Sequence, residues 1–421
     1  MKHTYFLKVG GAALASVLGA AAAPAQETRV EYTAEAQDAE AQPRSATSPG
    51  PGLLERSVAW VERKLESNSG PKDGFYPTMG GIIPGDGWLS AGAGYRHRLG
   101  GGPSFVNTSA SITERRYVAA QSTVAWPRLS AGRLSVATQV AYQDFTQVSF
   151  FGIGSAAPES ARSNYRLRQA GAIASAAVHA RSWLAIGGRV GYVRGPVIGP
   201  GLSSSYPSTT DRFDEQSAPG LTSPINFVHT ETFVEADTRD APGRPTRGGF
   251  YRIGVSGFRD IADTGHGFGR VDLDATQYLP LFNGNSVLGL RSRVTLSRAA
   301  DGHEIPFYLL PTLGGFNTLR GYSSYRFRDR NAALWSAEYR WPMLRMVDAA
   351  VFVDAGTVAD DVRGLVHTQF ASDYGLGLRA HTASRSIASV DVAKGREGVR
   401  VMVSMTAPFG TSHRVVAPYV P

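Results

Sequence analysis

From about residue 74 to 409, apolar side chains recur at every second position. Val399, Val401, Val403, Met405, Ala407 and Phe409 alternate with Arg400, Met402, Ser404, Thr406 and Pro408. Trp335, Ala337, Tyr339 and Trp341 alternate with Leu334, Ser336, Glu338 and Arg340. Leu288, Leu290, Val294 and Leu296 alternate with Gly289, Arg291, Arg293, Thr295 and Ser297. Successive side chains of a strand point to opposite faces, so this period predicts strands with one apolar and one polar face. The apolar face is rich in Trp, Tyr, Val and Leu, while the polar face sets arginines against acids of neighbouring segments. Lipid outside and a charge-paired interior produce that distribution in a transmembrane β-barrel.

Sixteen such segments are predicted, at 75–83, 87–98, 104–115, 117–126, 133–145, 165–179, 183–194, 227–239, 249–259, 268–280, 286–298, 332–342, 347–358, 372–382, 386–394 and 399–409. An even number suits a bacterial single-chain barrel, and connection lengths supply an independent check. If the first strand runs outward, the connections after every even-numbered strand are short turns. The long ones, 146–164, 195–226 and 299–331, all fall on the other side. The expectation is an all-β, 16-stranded antiparallel barrel over 74–409, closed by pairing its first and last strands, because a spanning sheet leaves no backbone group unbonded. Gly74, Pro77, Gly80 and Gly81 crowd the first segment, so either it forms a weak seam or its boundary lies elsewhere. The sixth segment is mostly alanine.

The N-terminal stretch departs from this period. Lys2 and Lys8 precede a small apolar run over Val9 to Ala22, and Ala23-Pro24-Ala25 is an A-x-A cleavage site, so residues 1–25 read as a signal peptide. Residues 26–73 read as a flexible periplasmic leader. Within it Leu54, Val58, Val61 and Leu65 recur at helical spacing, which predicts one short amphipathic helix over Leu53 to Ser67.

Composition narrows the chemistry. After residue 22 no apolar run reaches the ~18 residues that a spanning helix needs, which excludes a polytopic helical protein. The net charge of +8 falls to +6 without the signal peptide, and no run of five or six cations points to nucleic acid. There is no cysteine, hence no disulfide framework or thiolate chemistry. The nine histidines are scattered, with His97, His179 and His381 in or at the ends of strands. Neither a Ser/His/acid set at strand tips nor a metal or phosphate motif is present, so no catalytic, metal or cofactor site is expected.

Several motifs then fall in order. Gly314-Gly315-Phe316-Asn317-Thr318-Leu319-Arg320-Gly321-Tyr322 lies in the loop 299–331. Ser336-Ala337-Glu338-Tyr339-Arg340, Phe352-Val353-Asp354-Ala355-Gly356 and Tyr374-Gly375-Leu376-Gly377 follow, with Gly398 to Phe409 last. Upstream stand Asp237-Thr238-Arg239-Asp240 with Pro245, Thr246 and Gly248. Together these resemble the bacterial surface antigen family of BamA/TamA-like outer-membrane barrels, in the branch without POTRA modules. The resemblance implies that the first motif belongs to a sixth extracellular loop folded back into the barrel. It also implies that Glu338 belongs to strand 12, Asp354 and Gly356 to the Phe-x-Asp-x-Gly of strand 13, and Phe409 to a closing strand with a terminal aromatic. Leu319 stands where the family has Val or Ile, and residues 410–421 follow Phe409 where the family's closing strand ends the chain. Residues 26–73 are too few for one POTRA module.

Alternation places Glu338 and Asp354 on the lumen face, so Arg320 can meet two carboxylates with planar bidentate geometry. Gly321 is expected to allow a sharp turn and Tyr322 to pack on the lumen wall, and the resemblance adds Leu319 and Phe352 to this latch loop and its lumen partners. The alternative keeps Arg320 as an exposed loop cation, the acids pairing with Arg340 or Arg379. The resemblance implies an outer-membrane protein embedded in lipid, a single-chain barrel that assists insertion or translocation of unfolded protein clients. The other possibility is a structural or channel-type barrel, lipid-related in one variant.

Overall fold

The computed structural model describes residues 73–80, 90–222, 224–382, 385–405 and 409. The expected signal peptide, the expected amphipathic helix, all of the expected leader but residue 73, and the tail 410–421 lie outside the described residues.

Sixteen strands form one antiparallel sheet in chain order. They are β1 (Gly74–Gly80), β2 (Ser90–Arg98), β3 (Phe105–Thr113), β4 (Val118–Leu129), β5 (Leu134–Phe150), β6 (Ser163–Arg181), β7 (Leu184–Pro200), β8 (Phe227–Asp237), β9 (Gly248–Asp260), β10 (Phe268–Leu281) and β11 (Ser286–Ala299), then β14 (Asn331–Leu344), β15 (Val347–Ala359), β16 (Ala371–His381), β17 (Ser386–Gly395) and β18 (Gly398–Ser404). The missing pair, β12 (Thr312–Leu313) and β13 (Phe327–Arg328), is a separate hairpin inside the loop between β11 and β14.

The alternation sorts as a membrane demands. Trp335, Val351, Val353, Leu376, Leu378, Val399 and Val401 are exposed, whereas Arg252, Asp274, Arg291, Glu338, Asp354, Arg379 and Asp391 are buried. This is the polarity of a soluble domain turned inside out. The interior is itself divided. Apart from Arg96, stacked on Phe105, strands β1 to β6 line it mainly with neutral groups, joined by Tyr76 Oη donating to Asn107 Oδ1 at 2.7 Å, Gln139 Nε2 to Gln121 Oε1 at 2.8 Å and Gln169 Nε2 to Gln143 Oε1 at 2.5 Å. From β7 onward the wall is ionic, with Arg252 on Glu231 at 2.5 Å and Arg291 on Asp274 at 3.1 Å.

Two expectations need correction. Strands β5, β6 and β7 run for 17, 19 and 17 residues, well past the ~10 that span a bilayer, so the connections there are shorter than predicted. Beyond the membrane their inner side is apolar. Tyr117, Phe145, Phe150, Tyr165, Leu167 and Phe307 cluster there and hide the alternation. The sheet also does not close as expected. Among the described residues no ladder joins β1 to β18, each only seven residues long. Pro77 lies in the middle of β1 and has no N–H to offer, which suits an edge strand.

Candidate functional site: an arginine latch in the lumen

The loop between β11 and β14 is not a structureless span. It holds a 3₁₀ turn at Phe307–Leu309 and the β12–β13 hairpin, from which the motif projects. Gly314 and Gly315 take φ of +114° and +95°, the left-handed region that glycine tolerates. The Gly314 N–H donates to Thr318 Oγ1 at 2.8 Å and Gly315 N–H to the Leu319 carbonyl at 3.1 Å, closing a tight knuckle. Leu319 and Tyr322 anchor it in an apolar cluster with Leu313, Phe327, Leu334 and Val358.

Arg320 is buried at the tip. Its Nε and Nη2 grip Asp354 of β15 at 2.7 and 3.0 Å, and Nη1 donates to Glu338 Oε2 of β14 at 2.8 Å. Its guanidinium carbon lies 3.4 Å from the centre of the Phe352 ring, a stacked cation–π contact worth about 2 kcal/mol where water is excluded. The alternative pairing is present as well. Arg379 of β16 donates to Glu338 Oε2 at 2.8 Å and to Asp391 Oδ1 of β17 at 2.5 Å, so Glu338 bridges two arginines. Arg340 takes another route and donates to the Pro245 carbonyl at 2.6 Å.

The remaining predicted residues are also placed. Gly321 sits in the expected sharp turn, where the Tyr322 N–H donates to the Leu319 carbonyl at 3.2 Å, and does so without positive φ. Glycine is required by close approach, since a Cβ there would lie 2.6 Å from both Asp373 Cβ and the Gly395 amide nitrogen. Gly356 likewise leaves room for Leu313, 2.8 Å from where a Cβ would stand. Tyr322 Oη donates to the Ser372 carbonyl at 3.2 Å and accepts the Arg396 N–H at 3.4 Å.

Phe409 requires correction. Alternation puts it on the lipid side of the closing strand, but β18 ends at Ser404 and Phe409 is buried in the interior. Its ring lies against Gly289 of β11, 6.0 Å from the Arg291 guanidinium carbon and 5.7 Å from that of Arg320. With no β1 partner extending the ladder there, two guanidinium groups offer the ring a favourable face in the lumen.

Several partners were not singled out from sequence. Arg326 pairs with Glu397 in the β17–β18 turn at 2.7 Å, and Arg400 of β18 donates to Ser323 Oγ at 3.0 Å. The loop therefore holds the strand at the edge. Asp373 faces Asp354 across the β15–β16 ladder and is buried. Inward parity on β16 and β17 is the signal that marks Asp373 and Asp391.

At the short-turn end the segment Asp237 to Gly248 forms a second tie. Asp240 accepts N–H groups from Ala241 and Thr246 at 2.9 Å each and the Thr246 hydroxyl at 2.5 Å. Burial alone would raise this carboxyl, but these hydrogen bonds outweigh it and hold it below the usual carboxylate range. Arg244 then reaches Asp348 of β15 at 2.9 Å, and His381 of β16 meets the same carboxylate at 3.1 Å.

Comparison with known proteins agrees with this fold. BamA from Haemophilus ducreyi lacking POTRA domains 1–3 has a similar fold, with a TM-score of 0.57 at 17% identity over 86% of this chain and 80% of that one. CdiB from Acinetobacter baumannii matches with a TM-score of 0.50 at 13% identity, over 78% of this chain and 58% of that one. The Omp85 superfamily domain matches residues 98–395. The chain thus belongs to the Omp85 superfamily, and its place is the Gram-negative outer membrane.

Proposed function

We propose that the protein inserts or translocates polypeptide clients at the outer membrane by opening the seam between β1 and β18. The observation that carries this reading is the pair of short, unladdered edges combined with a buried loop fastened to one of them. Two open edges in lipid leave backbone donors and acceptors unbonded, a costly state that an incoming strand relieves by adding to the sheet. The latch gives the opening a fixed side. Arg326–Glu397 and Arg400–Ser323 hold the β17–β18 hairpin to a loop that is itself pinned to β14 and β15.

The absence of native cysteine makes the test clean. A panel of cysteine pairs, one from Phe75 to Thr78 and one from Val399 to Val403, is oxidised across the seam in the full-length protein. Loss of client assembly or export on oxidation, with recovery on reduction, is expected. Full function with the seam locked overturns lateral opening and favours the channel or structural role.

A further inference from the structure

The outer wall over β5 to β9 carries more than a uniform lipid belt. Val140, Ala172, Tyr192, Val228 and Arg259 form one row across five strands, each facing the next in the ladder. Val140, Tyr192 and the next outward residue of β7, Val190, are exposed. The alanines of β6 are short, so Ala172 and Ala174 form the floor of an open groove of about 490 Å³ between these larger residues. The mostly alanine strand that stood out in the sequence is this floor.

Cations stand at the long-loop end of the groove. Arg259 occupies the same row, Arg194 is one outward position beyond Tyr192, and Arg168 two beyond Ala172. At about 3.3 Å per residue, that places them within about 7 and 13 Å of the row. All three are exposed, and among the described residues no carboxylate lies within ion-pairing distance of them. The neighbouring acid, Asp144, is already gripped by Arg166 through Nε at 2.8 Å and Nη2 at 2.6 Å. Unpaired guanidinium groups at the rim of an apolar groove match one chemistry, a phosphate ester attached to a hydrocarbon chain. The groove is continuous with the lipid-facing wall, and its charged rim lies at the end that carries the long, extracellular loops.

We propose that this wall is a binding site for a phosphorylated lipid of the extracellular leaflet, its acyl chain on the β6 floor and its phosphates shared among Arg168, Arg194 and Arg259. The test uses the full-length protein in detergent, titrated with diphosphoryl lipid A, with the same lipid dephosphorylated, and with inorganic phosphate, and read by native mass spectrometry. Diphosphoryl lipid A is expected to bind, at least tenfold more weakly to R168Q/R194Q/R259Q. The dephosphorylated lipid is expected to bind as weakly to the wild type, and millimolar inorganic phosphate not to compete. Ala174→Phe fills the floor with every arginine in place and is expected to weaken binding as well, so the proposal stays testable if the triple variant does not fold. Equal affinity in the variants, or equal binding of the dephosphorylated lipid, overturns the proposal. Displacement by inorganic phosphate alone also overturns it, marking a free-phosphate site instead.

Discussion

At the scale of single residues, Arg320 carries the most. It satisfies two carboxylates on two strands while stacked on Phe352, and each of those groups is almost without solvent. Removing one partner of a buried ion pair costs about 3–5 kcal/mol, because the carboxylates stay behind uncompensated. Arg320→Ala is therefore expected to lower the temperature at which the barrel loses its compact electrophoretic mobility and to expose the loop to protease. Arg320→Lys keeps the charge but not the bidentate grip, and is expected to fall between the two. Unchanged heat resistance and loop protection in Arg320→Ala would mean that the loop is held without the latch. The sequence contained both competing pairings, Arg320 with the acids and Arg379 with the acids. It could not decide between them because the structure uses both at once, through a shared Glu338.

At the scale of elements, the turn Asp237 to Gly248 shows how a connection becomes a tie. Asp240 ionises below the ordinary carboxylate range, so its hydrogen bonds stabilise the folded turn above that range and are lost as pH falls through the lowered value. Asp240→Ala is expected to melt earlier than the wild type at neutral pH, with the gap narrowing in acid; a gap that persists undiminished in acid would assign the loss to something other than the carboxylate. Strand identity was legible here because period-two patterning survives wherever one face meets lipid. It failed where the inner face is apolar as well, along the outer halves of β5 to β7, whose inner side packs an aromatic cluster around Phe307. It failed again at Phe409. An alternating pattern continues on paper past Ser404, but it cannot register that the chain has left the sheet.

At the scale of the whole molecule, even strand number, order and the segregation of long loops follow from the sequence, because each is a property of connections rather than of contacts. Closure was not legible in the same way, since pairing between β1 and β18 depends on two ends with few residues and a proline between them. Membrane fit is also unequal around the circumference, from the small-residue floor of β6 to the large Trp335, Tyr339 and Trp341 of β14.

The placement of the latch has a mechanical consequence. Its ionic ties cross-brace β14 to β17 through the interior, and the turn after β8 braces β15 and β16 again at Asp348 and His381. On the other side of the seam, β1 to β3 are joined by ladder bonds, neutral side-chain bridges such as Thr78 to Ser111 at 2.9 Å, Arg96 stacked on Phe105 and one long ion pair, Arg98 to Asp73 at 3.9 Å, with no buried ionic network among the described residues. The ring therefore has a stiff arc and a compliant arc that meet at the seam, and a load applied there bends the compliant one. Hydrogen exchange is expected to run faster in β1 to β3 than in β14 to β17, with Arg320→Ala erasing much of the difference. Equal protection on both sides of the seam in the wild type would show a ring of uniform stiffness.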